Sequence, residues 1–220
     1  MLITSISKRY VDDKNKNTDN INCVYDICID NKFSFSIPEE VYFKLSLYEK
    51  SEISHEELEI IKKTSDFAAA KAKALVYLSY KIRTAKEVER KLINDGFNEH
   101  TIGKVINELI EEGHINDKLY VKKYINDRMK LKPKSKDMLM LELKNKGIDE
   151  VVIDEELENL EVDNVSIARD LLQRKFKNLD LSDIKAKRKA FSFLKYRGFS
   201  NSDIISAINQ IAKGYDDEVP

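Results

Sequence analysis

Residues 91–97 read KLINDGF, residues 142–148 read ELKNKGI and residues 193–199 read FLKYRGF. A leucine, a glycine four places later and a bulky apolar residue therefore return at a fixed distance of 51 residues, as Leu92-Gly96-Phe97, Leu143-Gly147-Ile148 and Leu194-Gly198-Phe199. A repeat of this length restricts a chain to stacked copies of one supersecondary unit, since each copy needs neighbours to bury its apolar face. Glycine just past a helix end adopts left-handed backbone without steric cost, and the next apolar side chain packs back on that helix. The phrase predicts a helix–glycine–helix corner, made three times.

The flanks agree. Thr84 and Glu87 form a capping-box pattern ahead of Val88, Leu92 and Ile93, and Asn98 caps a following helix with Ile102, Val105, Ile106 and Leu109 on one face. Ser135 opens the second copy and Asp149 its next helix, whose Ile153, Leu157 and Leu160 lie 51 residues beyond Ile102, Ile106 and Leu109. Ser200 and Asp203 start the last helix, with Ile204, Ile208 and Ile211 in the same register. An amphipathic helix precedes each corner, over about 66–80, 117–131 and 164–177. The unit is three helices, used three times.

The first fifty residues differ. Segments 3–11, 21–29 and 33–37 are β-like, with a polar loop at 12–20 and a tight-turn signal at Asp30-Asn31-Lys32. They predict a small three-stranded antiparallel sheet, followed by a short helix opened by Pro38 and running to about Leu47. Ser54 and Glu57 form a capping box for a connecting helix. The fold class is mainly α: three tandem three-helix repeats in a 51-residue register, preceded by a small antiparallel β-sheet domain. The expected divisions are 1–53 (sheet and short helix), 54–65 (connecting helix), 66–115, 116–162 and 163–214 (repeats), and an acidic tail at 215–220.

Little in the chain points to catalysis. His55, His100 and His114 stand alone, with no metal-pair or nucleophile–base spacing, and there is no Walker A or GxGxxG pattern. Cys23 and Cys28, five residues apart on a predicted strand, face opposite sides and read as small apolar side chains. No catalytic residue, metal site or cofactor is expected. There is no apolar run near eighteen residues and no basic n-region before an apolar stretch, so a cytoplasmic protein without a membrane partner is expected.

Charge is more informative. Lys+Arg (38) and Asp+Glu (39) nearly cancel, yet they are segregated. Residues 122–146 hold nine bases against three acids, 169–197 hold ten against three, and 149–163 hold eight acids and no base. Glu111-Glu112 and Asp154-Glu155-Glu156 read as solvated helix faces. Two basic stripes on a helical repeat suit a polyanion or an acidic protein groove.

The stretch from Ala74 to Thr84 (ALVYLSYKIRT), then Glu87 and Leu92, resembles the opening of the RecX family. So do Gly113-His114-Ile115-Asn116-Asp117, then Tyr120-Val121 and Asp127-Arg128, and the closing Phe193-Leu194-Lys195-Tyr196-Arg197-Gly198-Phe199. The resemblance runs over about 67–211. The chain departs from it at Lys134-Ser135, where the family has a glycine, and at Tyr196, where it more often has a second arginine.

The resemblance implies a non-enzymatic regulator that lies in the groove of the RecA–single-stranded-DNA filament. It implies limits on ATPase, filament growth and strand exchange, in DNA repair, recombination and the SOS response. The partners it implies are the RecA filament, with weak binding of single- or double-stranded DNA; a monomer is expected. Candidate partner-binding residues are Arg83, Arg128, Lys132, Lys134, Lys136, Arg188, Lys195, Tyr196 and Arg197. Two alternatives stand beside it: an autonomous DNA-binding protein with helix-turn-helix-like units, and a helical scaffold for another partner. Acidic third helices in the first two repeats (Glu108, Glu111, Glu112; Glu155, Glu156, Glu158) argue against groove reading.

Overall fold

The computed structural model describes residues 1–11, 22–158, 163–176 and 183–216. The expected loop at 12–20, Leu160, Lys177 and the acids at 217–218 lie outside the described residues.

Strands β1 (Ile3–Val11), β2 (Asn22–Ile29) and β3 (Lys32–Pro38) form an antiparallel sheet in the order β1-β2-β3. Asp30 (φ 50°) and Asn31 (φ 63°) make the two-residue β2–β3 turn, a left-handed pair whose twist suits the flanking strands. The register slips once on each side of β2, between Ile3 and Ser5 on β1 and between Phe35 and Phe33 on β3. Thr4 lies in the first slip, where its hydroxyl donates to the Cys28 carbonyl at 3.2 Å and accepts from the Asn31 N–H at 3.0 Å. Helix α1 (Glu39–Lys44) follows, with Pro38 as N-cap. It is shorter than expected: Ser46 turns left-handed (φ 48°) and a 3₁₀ turn, Leu47–Glu49, takes over. Ile27, Ile37, Val41, Leu47, Ile53 and Ile61 form the core of this region.

Helix α2 (His55–Ser79) starts on the Ser54–Glu57 capping box, with both reciprocal bonds present. The connecting helix and the first helix of repeat one are thus one uninterrupted helix. Then come α3 (Ala85–Asn94), α4 (Glu99–Glu111), α5 (Asp117–Leu131), α6 (Lys136–Asn145), α7 (Glu150–Glu158), α8 (Asn164–Lys175), α9 (Ile184–Tyr196) and α10 (Asn201–Asp216). The fold is mainly helical, with a three-stranded N-terminal sheet and three consecutive three-helix domains. No described helix is long and apolar enough to cross a membrane.

The chain divides into two compact units, Met1–Lys81 with Val88–His114, and Ile82–Glu87 with Ile115–Pro220. In the first unit Ala70, Ala74, Val88, Leu92, Ile102, Val105 and Leu109 are buried. In the second, one core gathers Val121, Ile125, Leu139, Leu143, Ile148, Ile153 and Leu157. Another gathers Ile167, Leu171, Leu172, Ala190, Leu194, Phe199, Ile204 and Ile208, and Met129 packs against both. Each fully buried leucine of the repeat contributes roughly 1.5–3 kcal/mol.

Candidate functional site

The three corners share one geometry. Gly96, Gly147 and Gly198 have φ of 89°, 79° and 88°. The N–H of the next residue bonds back to the repeat leucine's carbonyl: Phe97 to Leu92 at 3.2 Å, Ile148 to Leu143 at 3.3 Å, Phe199 to Leu194 at 3.3 Å. This is the six-to-one bond of a left-handed helix terminus. Leu92, Leu143 and Leu194 are fully buried.

Two corners also join consecutive repeats. The Thr84 hydroxyl, which caps α3 by accepting from the Glu87 N–H, donates to the Lys146 carbonyl at 2.9 Å. The Ser135 hydroxyl, which caps α6 in the same way, donates to the Gly198 carbonyl at 2.8 Å, and the Ser135 N–H to the Arg197 carbonyl at 3.2 Å. Beside each, the first N–H of the helix finds a side-chain oxygen in the next repeat: Ala85 on Asp117 at 3.0 Å, Lys136 on Asn164 at 3.1 Å. Donors that a helix start would leave bare are thereby satisfied.

The corner bases serve these joints. The Lys146 ammonium donates to Glu87 at 2.6 Å, and the Arg197 guanidinium donates to the Pro133 carbonyl at 2.7 Å while lying 4.7 Å from the Phe193 ring centre. Burial raises the Glu87 carboxyl's pKa, but Lys146, the Thr84 N–H and Arg83 outweigh it and hold the group below the usual carboxylate range. Asp117 goes the other way: burial pushes it up against the bond from Ala85, and the Glu87 charge adds to the rise.

The basic stripe of repeat two is largely neutralised within the fold. Glu142, on α6, accepts from the Tyr124 hydroxyl at 2.7 Å and from Lys134. The two bonds fall on different oxygens, and the one that takes Tyr124 lies 3.5 Å from the Arg128 Nε; Arg128 also donates to the Tyr124 hydroxyl at 3.0 Å. Burial raises the Glu142 carboxyl, and the bonds from Lys134 and Tyr124 more than reverse this, leaving it below its ordinary value. Lys144 pairs with Glu150 at 2.6 Å, and Lys118 with Glu155 at 2.9 Å. Glu156, expected on a solvated face, is instead only 7 % exposed. It stands where repeats one and three have Val105 and Ala207, with Lys118 and Lys122 each 3.8 Å away. A short stem on α7 places it against α5, and the two ammonium groups compensate its burial.

Repeat three treats its bases differently. Helix α9 carries Lys185, Lys187, Arg188, Lys189 and Lys195 and no acid beyond its N-cap Asp183. All five are exposed. Lys195 bonds to Asn201 at 2.8 Å, and the other four meet no carboxylate among the described residues. A 270 Å³ pocket between α9 and α10, lined by Phe191, Ile205, Ile208 and Asn209, has Lys187 and Arg188 at its wall.

The candidate residues therefore separate. Arg128, Lys134 and Arg197 are engaged inside the fold. Arg83 and Lys136 are half-buried at the joint helix starts. Lys132, Arg188 and Tyr196 (86 % exposed) project to solvent, and Lys195 is exposed beside them in sequence. Sequence reasoning gave Glu87 only its capping role, without its bond to Lys146, and did not single out Glu142 or Lys187. A lone glutamate late in a run of nine bases was the available sign for Glu142.

The RecX family's first, second and third three-helix domains match residues 70–109, 116–157 and 161–208. The chain is 31 % identical over 184 residues to the regulatory protein RecX of Clostridium beijerinckii, covering 82 % of this chain and 85 % of the relative. It is 30 % identical over 211 residues to that of Clostridium acetobutylicum, covering 91 % and 94 %. A crystal structure of regulatory protein RecX is alike in fold over 97 % of this chain and 98 % of its own, with a TM-score of 0.67 at 23 % identity. The RecX of Lactobacillus salivarius is alike over 68 % and 98 %, with a TM-score of 0.58 at 32 % identity. By its three domain matches and by its near-complete overlap with these relatives, the chain belongs to the RecX family.

Proposed function

We propose that this chain is a non-catalytic modulator of the RecA recombinase, acting in the cytoplasm on the RecA–single-stranded-DNA filament and restraining its ATPase, growth and strand exchange. Three repeats, taken at 66–115, 116–162 and 163–214, supply a modular scaffold suited to a polymer. The observation that carries the reading is α9: five exposed bases and no acid along its length. A face of that kind stays positively charged in water and attracts acidic protein surface or phosphate. Lys187, Arg188 and Lys189 form its centre, with Lys132 and Tyr196 as further contacts.

The test is RecA ATPase on single-stranded DNA with and without the protein. Inhibition is expected. The triple reversal of Lys187, Arg188 and Lys189 to Glu should relieve it while circular dichroism stays helical, because all three side chains are exposed. No change in turnover at saturating protein would sink the proposal. Titrating DNA without RecA separates direct binding: weak, steeply salt-dependent affinity fits the proposal, and tight sequence-selective affinity fits an autonomous DNA-binding protein.

A further inference from the structure

We propose that repeat one carries a vacant copy of the socket that joins the repeats, and that this socket takes the first turn of a partner protein's α-helix capped by serine or threonine. The inference is independent of which protein the α9 face meets.

The two filled sockets define the requirements. Each time the occupant is the start of a helix with a hydroxyl N-cap, Thr84 or Ser135. The hydroxyl donates to a corner carbonyl, and the first helical N–H donates to the side chain opening the next repeat's first helix. The occupant also presses on the corner glycine. A Cβ placed on Gly147 would lie 2.4 Å from the Lys86 Cβ, and one on Gly198 would lie 2.6 Å from the Met138 Cβ.

Repeat one has the same glycine corner and no occupant among the described residues, although the counterpart of the opening side chain lies inside α2 and not at a helix start. Gly96 makes the same turn, with no atom of the described residues within 4 Å of where a Cβ would stand. No donor among the described residues reaches the Asp95 or Gly96 carbonyl. The residue 51 positions before Asp117 is Asp66, within α2, whose exposed side chain makes no hydrogen bond or ion pair among the described residues. Ile93, beside the corner, is 48 % exposed where the other repeats carry Lys144 and Lys195. An apolar side chain next to unbonded carbonyls marks a contact surface better than it suits open water.

Charge narrows the occupant. The filled corners carry bases, Lys146 and Arg197. The vacant corner carries Asp95, held ionised chiefly by Lys91 at 2.7 Å and also by Lys73. Asp66 adds a second carboxylate. Together they favour the positive end of a helix dipole and a first turn bearing bases. The chain's own third copy does not fit. Helix α9 begins 14 residues before its glycine where α6 begins 11 before, and the position 51 beyond Ser135 is Ala186, which has no hydroxyl. A second copy docking head-to-tail lacks the required plug, so the occupant is a helix of another protein.

The probe is an acetylated, helix-stapled peptide of residues 133–146, which supplies Ser135 as cap and Lys134 and Lys136 as bases. It is titrated into the ¹⁵N-labelled full chain. The filled sockets keep their tethered occupants, whose effective concentration exceeds that of added peptide. Saturable shifts are expected at the Gly96, Ile93 and Asp66 amides. Replacing the peptide's serine by alanine should weaken binding about tenfold, and Asp66→Lys, an exposed change that leaves the fold intact, should weaken it by at least as much. Absence of saturation at Gly96 with millimolar peptide overturns the inference, as do shifts that survive Asp66→Lys.

Discussion

Repeats two and three turn the same corner and dispose of their bases in opposite ways. Around α6, Glu142 gathers Arg128, Lys134 and the Tyr124 hydroxyl, while Lys146 is drawn to Glu87. Along α9 the bases stand in water without a carboxylate among the described residues. A basic stripe in a sequence is therefore two different objects. One is an internal ion network, whose charge is spent on holding helices together. The other is a field projected outward, able to bind at long range. The repeats share a scaffold and differ in where their positive charge goes.

The largest expected effect probes what the two repeats share. Gly147→Ala and Gly198→Ala each combine a left-handed alanine with a Cβ inside contact distance of the preceding repeat, and each should lose about 3 kcal/mol of stability. Gly96→Ala meets open space and should lose only about 1 kcal/mol. Urea melts of the three variants measure the difference. Equal losses at all three corners would show that the joint packing contributes nothing beyond backbone strain.

Next is the contrast itself. Reversing Lys187, Arg188 and Lys189 to Glu should raise the concentration needed for half-inhibition of RecA ATPase by about tenfold to a hundredfold, since charge-assisted contacts carry about 1.5–3 kcal/mol each. The same reversal at Lys134 should act mainly on stability, because its partner Glu142 would then face a like charge. If Lys134→Glu blocks inhibition without lowering the melting temperature, the division between the repeats is wrong.

Much of this was legible in the sequence, because its signals are local. The leucine–glycine–apolar corners, the Ser54–Glu57 and Thr84–Glu87 boxes, and the caps at Asn98, Ser135 and Ser200 each depend on residues within a few positions of one another. The Asp30-Asn31 turn is of the same kind. What was hidden is long-range. Glu87 and Lys146 are 59 residues apart, and Arg197 and Pro133 are 64 apart. No periodicity reports such pairs, so bases already engaged counted equally with free ones. Helix α2 ran on past the division expected between residues 65 and 66 because nothing there breaks a helix. Glu156 was misplaced because a charged residue on a helix reads as exposed unless the neighbouring helix is known to bring two ammonium groups to it.

Glu142→Gln makes repeat two resemble repeat three. The amide keeps the shape and can still accept from the Tyr124 hydroxyl, but it releases the positive charge of Arg128 and Lys134. Affinity for single-stranded DNA or heparin should rise about threefold, with a steeper salt slope by roughly one released counterion. An unchanged slope would mean that these bases remain unavailable even when unpaired, for reasons of shape and not of charge.

The smallest effect is the pH dependence of the same site. The Glu142 carboxyl is held below its ordinary value in the folded chain: burial works to raise it, and Lys134 and Tyr124 more than offset this. A depressed folded-state pKa means that the contribution to stability is fully present above the unfolded value, about 4.3, and is lost as pH falls through the folded value. The side chain is partly exposed, so solvent screening limits the contribution to about 0.5 kcal/mol. The wild-type chain should therefore melt slightly above Glu142→Gln near neutrality, and the gap should close below about pH 4. Glu87 is depressed in the same direction and is present in both proteins, so its loss in acid cancels from the difference. A gap that stays constant down to pH 3 would assign the effect of the substitution to packing and remove the carboxylate's charge from the account of why repeat two keeps its bases to itself.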